Sequence, residues 1–192
     1  MKYIVTGGAG FIGSNIVKKL VSRGDQVTVI DNLNTGKKEN LVSVKDKIVF
    51  LKDSILNLDL LEKQTQDIDG IFHQAALASV QDSFSKPEEY QSVNVNGTEN
   101  ILKLAKKNNF KVVYASSSSV YGNPEKIPIK ESDSKNPINP YAETKLEKEK
   151  LAKKYSEIGV KVIGLRYFNV FGKGQSKEYA GVLKLFLEKI RD

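Results

Sequence analysis

The stretch "PYAETK" sets Tyr141 and Lys145 four residues apart, directly after a proline. In a helix starting there, that spacing projects both side chains from one face. A free phenol titrates at about pH 10, too high to act as a base near neutrality. An ammonium held within a few ångströms favours the phenolate and brings that value down. Such a pair can take a proton from an alcohol and return it. The plain alternative is a capping aromatic beside a solvated lysine, and what precedes the pair in the chain decides between the two.

What precedes it is "TGGAGFIGS", between an apolar run and a helical pattern. Gly8, Gly10 and Gly13 satisfy G-x-G-x-x-G, and Gly7, Gly10 and Gly13 satisfy G-x-x-G-x-x-G. Glycines there allow a tight turn and let backbone amides approach a pyrophosphate, which a helix N-terminus favours. Asp31 ends the second apolar run, 18 residues past Gly13. A carboxylate there can accept both hydroxyls of an adenine ribose and would repel a 2′-phosphate, so the expected cofactor is NAD rather than NADP.

The elements that must hold these residues follow from periodicity. Residues 2–6, 26–30, 47–51, 70–73, 111–115 and 161–165 are β-branched runs that read as strands. Helical patterns lie between them, clearest in "FIGSNIVKKLVSRG", where Ile12, Ile16, Leu20 and Val21 share a face and Gly24 closes the helix. This alternation predicts an α/β fold, a doubly wound parallel sheet of Rossmann type with helices on both faces and ligands at the strands' carboxyl ends. The segment 122–141 holds four of the five prolines and reads as a surface excursion beside a cleft. "EYAGVLKLFLEKIRD" reads as a last helix, with "GKGQSKEYAG" approaching the cleft before it.

Composition narrows the function classes. With 192 residues and 40% apolar side chains, one domain with a sizeable core is expected. The net charge of +7 comes from lysines spread along the chain beside glutamates, as in "ETKLEKEKLAKKYSE", so a solvated basic surface is expected and no nucleic-acid partner. Glu149 and Lys153 stand in the favourable order for a helical ion pair. Cysteine is absent and His73 is the one imidazole, which leaves no thiolate chemistry and no expected metal site. No apolar run is long enough to span a membrane and the N-terminus carries no signal-peptide pattern, so a cytoplasmic protein is expected.

Taken with "DNLNTG", "HQAALASV", "NVNGT", "YASSSSVYGN" and "LRYFNVFG", these motifs resemble, in order and spacing, the extended short-chain dehydrogenase/reductases. Within them the chain is most similar to the NAD-dependent nucleotide-sugar epimerases acting on UDP-hexoses or UDP-N-acetylhexosamines. The resemblance runs from Lys2 to about Leu187 and implies that residues 1–192 form an NAD-binding domain with the catalytic tyrosine and lysine. A smaller C-terminal substrate domain would be missing or truncated. The resemblance implies Phe11 and Ile12 under the pyrophosphate, and Asp31 with Asn32 on the adenosine ribose. Ala75, Ala76 and Leu77 would line the cofactor. Ser54 and Ile55 stand where the family often has Asp-Ile beside adenine. Ser117 would be the substrate-facing hydroxyl, Tyr141 the acid/base and Lys145 the ligand of the nicotinamide ribose. Phe168 would meet the nicotinamide end and Asn169 a substrate phosphate. His73 and Asn94 read as structural, and the expected partner is a UDP-sugar, with room for a homodimer.

The serine run bears on the reaction. Dehydratases of this family follow the hydroxyl residue with Asp-Glu, because removing water from the oxidised sugar needs a base and an acid. Ser118 and Ser119 occupy those places here and do neither near neutral pH. The expected chemistry is oxidation at C4, rotation of the 4-keto sugar, and reduction on its other face. Two alternatives stay open: an NAD-binding module without turnover, and a dehydratase or reductase of the same family.

Overall fold

The computed structural model describes residues 1–172, 174–175, 186 and 189–190. The expected last helix therefore lies, apart from Phe186, Lys189 and Ile190, outside the described residues, as does most of "GKGQSKEYAG". Six parallel strands form one sheet: β1 (Lys2–Thr6), β2 (Gln26–Ile30), β3 (Ile48–Leu51), β4 (Gly70–His73), β5 (Lys111–Ser117) and β6 (Val162–Tyr167). Their spatial order is β3-β2-β1-β4-β5-β6. The order reverses between β1 and β4, so the crevice for a ligand opens above the carboxyl ends of those two strands.

The four inner strands are mostly apolar because both of their faces are covered, while the edge strands leave Val49, Ile163 and Leu165 exposed. On one face, α1 (Phe11–Ser22) and a 3-10 segment, Lys38–Lys47, cover Val5, Val27 and Val29. On the other, α2 (Leu58–Gln64), α5 (Gly97–Asn108) and α6 (Pro140–Glu157) pack over Ile4, Ile71 and Val112. Between β4 and α5 run α3 (Val80–Ser85), α4 (Pro87–Tyr90) and one π-helical segment, Gln91–Asn96. No helix among the described residues is long and apolar enough to cross a membrane.

Two local readings are corrected by the packing. The buried face of α1 is Gly13, Ser14, Val17 and Leu20, while Ile12, Ile16 and Val21 are only partly covered. Gly13 packs directly on the backbone of Gly7 and Gly8, which leaves no room for a Cβ and turns that side of the helix inward. Glu149 does not pair with Lys153; it turns inward to Arg166 on β6 and to Ser116, a partner distant in sequence that helix spacing cannot reveal.

Candidate active site

The glycine turn is shaped by close backbone approach. Gly7 has φ +67°, and a Cβ on it would come within 2.6 Å of the Ala75 nitrogen. That geometry excludes any side chain and lets β4 run directly against the turn. Gly10 precedes α1 in extended conformation with no side-chain cap, and the helix has no acid in its first turn. The first amides of α1 are thus left for an anion, at the positive end of the helix dipole.

Asp31 closes the turn from the β2 side. Its carboxylate accepts from the Ala9 amide at 2.9 Å and from the Leu33 amide at 2.8 Å, and the residue is 7% exposed. Each oxygen has one partner and keeps capacity for another, which suits two adjacent hydroxyls. The loop after Asp31 is strapped back over the turn by Lys37 N–H and Asn40 Nδ2, both donating to the Ala9 carbonyl. A pocket of about 210 Å³ there is lined by Asp31, Asn32, Ser54, Ile55, Ala75 and Leu77. The residues expected around adenosine therefore converge, including the Ser54-Ile55 departure.

A second cleft, about 590 Å³, shares Gly7, Gly10 and Ala76 with the first and ends at Ser117, Tyr141 and Lys145. Phe11, Ile12, Gly13, Phe168 and Asn169 line it as well. The two clefts are thus continuous, with the Asp31 carboxylate at one end and the Tyr141 phenol at the other. An extended dinucleotide fits that arrangement of uncapped helix, tight glycine turn and flanking acid. A wider groove of about 1130 Å³ runs beside β6 and α6, but it contains neither the phenol nor the glycine turn.

The reactive end is held by α6 and β5. Asn139 caps α6 by accepting from the Ala142 amide at 2.8 Å, and Pro140 follows at the first helical position. This fixes Tyr141 in the first turn and Lys145 one turn later. Lys145 is 3% exposed; its ammonium donates to the Ala115 carbonyl at 3.2 Å and lies 5.5 Å from the Tyr141 ring centre. Burial pushes Lys145 down to about 8. Burial also raises the Tyr141 phenol above its ordinary value, with a hydrogen bond to Ser117 acting the other way. The ammonium was expected to set the phenol; in this structure burial dominates and Ser117 supplies the opposing pull.

Other residues complete the frame. His73 Nε2 lies 2.9 Å from Thr98 Oγ1, whose own proton goes to the Asn94 carbonyl, so this nitrogen carries the hydrogen. Its Nδ1 then accepts from Thr6 at 2.8 Å. Burial, with Lys148 and Lys145 nearby, holds His73 well below the usual imidazole range, which is a packing role. Asn94 accepts from the Leu77 amide at 2.8 Å and donates both to the Leu77 carbonyl and to Thr144 of α6, each at 3.1 Å. It clips the wall of the cofactor cleft to the helix that bears Tyr141.

Sequence reading missed two participants. Ser119 lies in a 3-10 turn, Ser118–Tyr121, and touches Ser117 through both amide and hydroxyl. Lys148 is fully buried, its Nζ has no hydrogen-bond partner, and it sits 5.7 Å from the Tyr114 ring centre. One signal existed: Lys148 is three residues from Lys145 on the same helical face. Among the described residues, no cluster of histidine, aspartate and glutamate is arranged to hold a metal ion.

Known proteins resemble this chain throughout. The family model described as the NAD dependent epimerase/dehydratase family matches residues 3–192. The chain is 42% identical to a UDP-glucose 4-epimerase of Lactobacillus helveticus over 90% of its length, which is 52% of that relative. A solved UDP-N-acetylglucosamine 4-epimerase from Methanobrevibacter ruminantium superimposes with a TM-score of 0.93 at 41% identity, covering 99% of this chain and 62% of the other. A dTDP-glucose 4,6-dehydratase from Streptomyces venezuelae gives 0.91 at 32% identity, covering 100% and 62%. The chain thus spans between about half and two thirds of the length of these relatives.

Proposed function

This chain belongs to the NAD dependent epimerase/dehydratase family, and from that premise we propose that it carries the cofactor-binding and acid/base apparatus for 4-epimerisation of a UDP-sugar. The observation that supports this most is the convergence of Ser117, Tyr141 and Lys145 at one end of a cleft whose other end holds Asp31. The relatives named as UDP-sugar 4-epimerases support the substrate class. Uncharged Ser118 and Ser119 beside Ser117 favour epimerisation over dehydration, which needs a base and an acid there.

NAD held in this cleft would supply the hydride acceptor, and later donor, for C4 of the sugar. Tyr141 as phenolate takes the 4-hydroxyl proton, and gives it back when the 4-keto sugar has turned its other face. Ser117 hydrogen-bonds the sugar's 4-oxygen and steadies its geometry. Lys145, with a value of about 8, is mostly protonated at neutral pH and presents its remaining hydrogens to the nicotinamide ribose. Asp31 and Asn32 hold the adenosine ribose, Ser54 and Ile55 flank adenine, and the amides of Phe11 and Ile12 face the pyrophosphate. Ala75, Ala76 and Leu77 wall the cofactor. Phe168 and Asn169 stand at the mouth, toward the sugar nucleotide.

A second reading, NAD binding without turnover, is favoured by the exposure of that mouth: Phe168 is 59% exposed, so the substrate side is open in this chain. Incubation with UDP-galactose or UDP-N-acetylgalactosamine plus NAD, resolved by chromatography, separates the two. Exchange of 4-epimers that disappears in Tyr141→Phe supports epimerisation; NAD binding with no exchange supports the second reading. We further propose a cytoplasmic protein without a nucleic-acid partner and with room for a homodimer. Its lack of cysteine and dispersed lysines support the compartment and the absence of a nucleic-acid partner, and light scattering tests the dimer.

A further inference from the structure

Tyr141 is held by a hydroxyl that the proposed chemistry does not use. Thr144, three residues along α6, is 5% exposed, and its Oγ1 donates to the Tyr141 carbonyl at 2.8 Å. A helical threonine often bonds back to its own helix in this way. This one has a second bond from outside the helix: the same oxygen accepts from Asn94 Nδ2 at 3.1 Å.

Every direction in this chain of bonds is fixed. Asn94 is fully buried; its Oδ1 accepts from the Leu77 amide at 2.8 Å and its Nδ2 donates to the Leu77 carbonyl at 3.1 Å. One Nδ2 hydrogen is left, and it goes to Thr144. Thr144 must accept there, so its single proton serves the Tyr141 carbonyl. Leu77 lines the Asp31 end of the cleft and Tyr141 the other end.

We propose that Thr144 is a positioning residue: its hydroxyl joins the Tyr141 backbone, through Asn94, to the Leu77 stretch of the cleft wall, and so holds the phenol at a set distance from the dinucleotide. The inference rests on Tyr141 being the acid/base and adds how that group is aligned. Hydride and proton leave one carbinol, the first for the cofactor and the second for the phenol, so the two acceptors must keep a common register. A misplacement of about 1 Å costs roughly 10²-fold in such a step. The other anchors of α6 act elsewhere. Asn139 and Pro140 fix where the helix begins, and Lys145 reaches the Ala115 carbonyl on β5. The bonds they make do not extend to Leu77.

Two measurements on the 192-residue chain test this, and the first needs no turnover. Thr144→Val keeps the shape of the side chain and removes both bonds. Hydrogen exchange followed by NMR is expected to show the Leu77 amide exchanging roughly fivefold faster, the worth of one neutral hydrogen bond. Thr144→Ser, which keeps the hydroxyl, is expected to restore it. Circular dichroism checks folding; should Thr144→Val unfold, Thr144→Ala removes the same bonds with less bulk. With UDP-galactose, kcat for sugar-dependent reduction of bound NAD is expected to fall about tenfold in Thr144→Val and to recover in Thr144→Ser. KM and NAD affinity should stay within about twofold.

Unchanged exchange at Leu77, or faster exchange confined to α6, overturns the proposal. So does a rise in KM at constant kcat. Failure of Thr144→Ser to restore either measurement also overturns it, since Thr144 would then be a packing element. No sugar-dependent reduction in the unaltered chain would instead defeat the acid/base reading, and the exchange at Leu77 would still decide the link.

Discussion

Glu149 and Arg166 meet as a two-pronged pair, with Nε at 2.8 Å from one carboxylate oxygen and a terminal guanidinium nitrogen at 2.9 Å from the other. Both side chains are largely buried, at 13% and 20% exposure. The same guanidinium reaches the Tyr121 hydroxyl and the Glu131 carbonyl, and the same carboxylate accepts from Ser116, next to Ser117. One pair thus ties α6, β6, the end of β5 and the proline-rich excursion together.

Arg166→Met should cost about 3–5 kcal/mol, because it leaves a carboxylate buried without its partner. Arg166 and Ser116 together hold Glu149 below the usual carboxylate range against the opposing effect of burial. Its contribution is therefore present above the unfolded carboxylate value, about 4.3, and is lost as pH falls through the lower folded value. Urea unfolding at pH 7 should show the full deficit in the variant, and at acid pH the two proteins should converge. A deficit independent of pH would assign the effect to packing.

Lys148→Met should stabilise the protein. Burial and the nearby Lys145 push Lys148 well below the usual lysine range, so the folded chain holds it neutral where the unfolded chain is protonated. Below about pH 10.4 the unfolded state binds the extra proton, and stability falls as pH falls until the folded value is reached. Replacement by an apolar side chain of similar length is expected to add about 1–4 kcal/mol at pH 7. Thermal melts should show a higher Tm at neutral pH and a smaller gain near pH 10. A lower Tm at pH 7 would mean that Lys148 is paired in solution.

Tyr141→Phe should leave NAD affinity within about twofold and reduce sugar-dependent reduction of bound NAD, followed by absorbance, by at least about 10²-fold. Because burial raises this phenol, the wild-type rate should climb with pH below the phenol's value, tenfold per unit. A flat profile would remove the phenol from the rate-limiting proton transfer.

Asp31→Asn keeps an acceptor for one backbone amide and removes the charge. NAD affinity, by titration calorimetry, is expected to fall about tenfold while NADP gains relative to NAD. Equal losses for both cofactors would show that the carboxylate braces the loop and does not choose the ribose.

The parallel sheet, the glycine turn and the Tyr141–Lys145 spacing were legible because each depends on local pattern. The strand bounds shifted little; β5 simply runs on to Ser117, so the first two serines of the run are sheet and the next two are turn. What local pattern could not give is which distant group a side chain meets. Glu149 has a lysine four residues on, yet burial beside β6 and a planar guanidinium outweigh a solvated helical pair. Lys148 belonged by composition to a charged helix surface, and only the position of β5 buries it. The electrostatic balance at Tyr141 was misjudged for the same reason: proximity of an ammonium was readable, but the depth of the phenol was not.

Asn94 makes its three bonds to two pieces of chain that are 67 residues apart, Leu77 and Thr144. Drift of one against the other would break all three bonds at once, the two to Leu77 partly buried and the one to Thr144 buried. The wall behind the dinucleotide and the helix start that bears the phenol must therefore travel as one piece. On the opposite bank of the cleft Phe168 and Asn169 stand exposed.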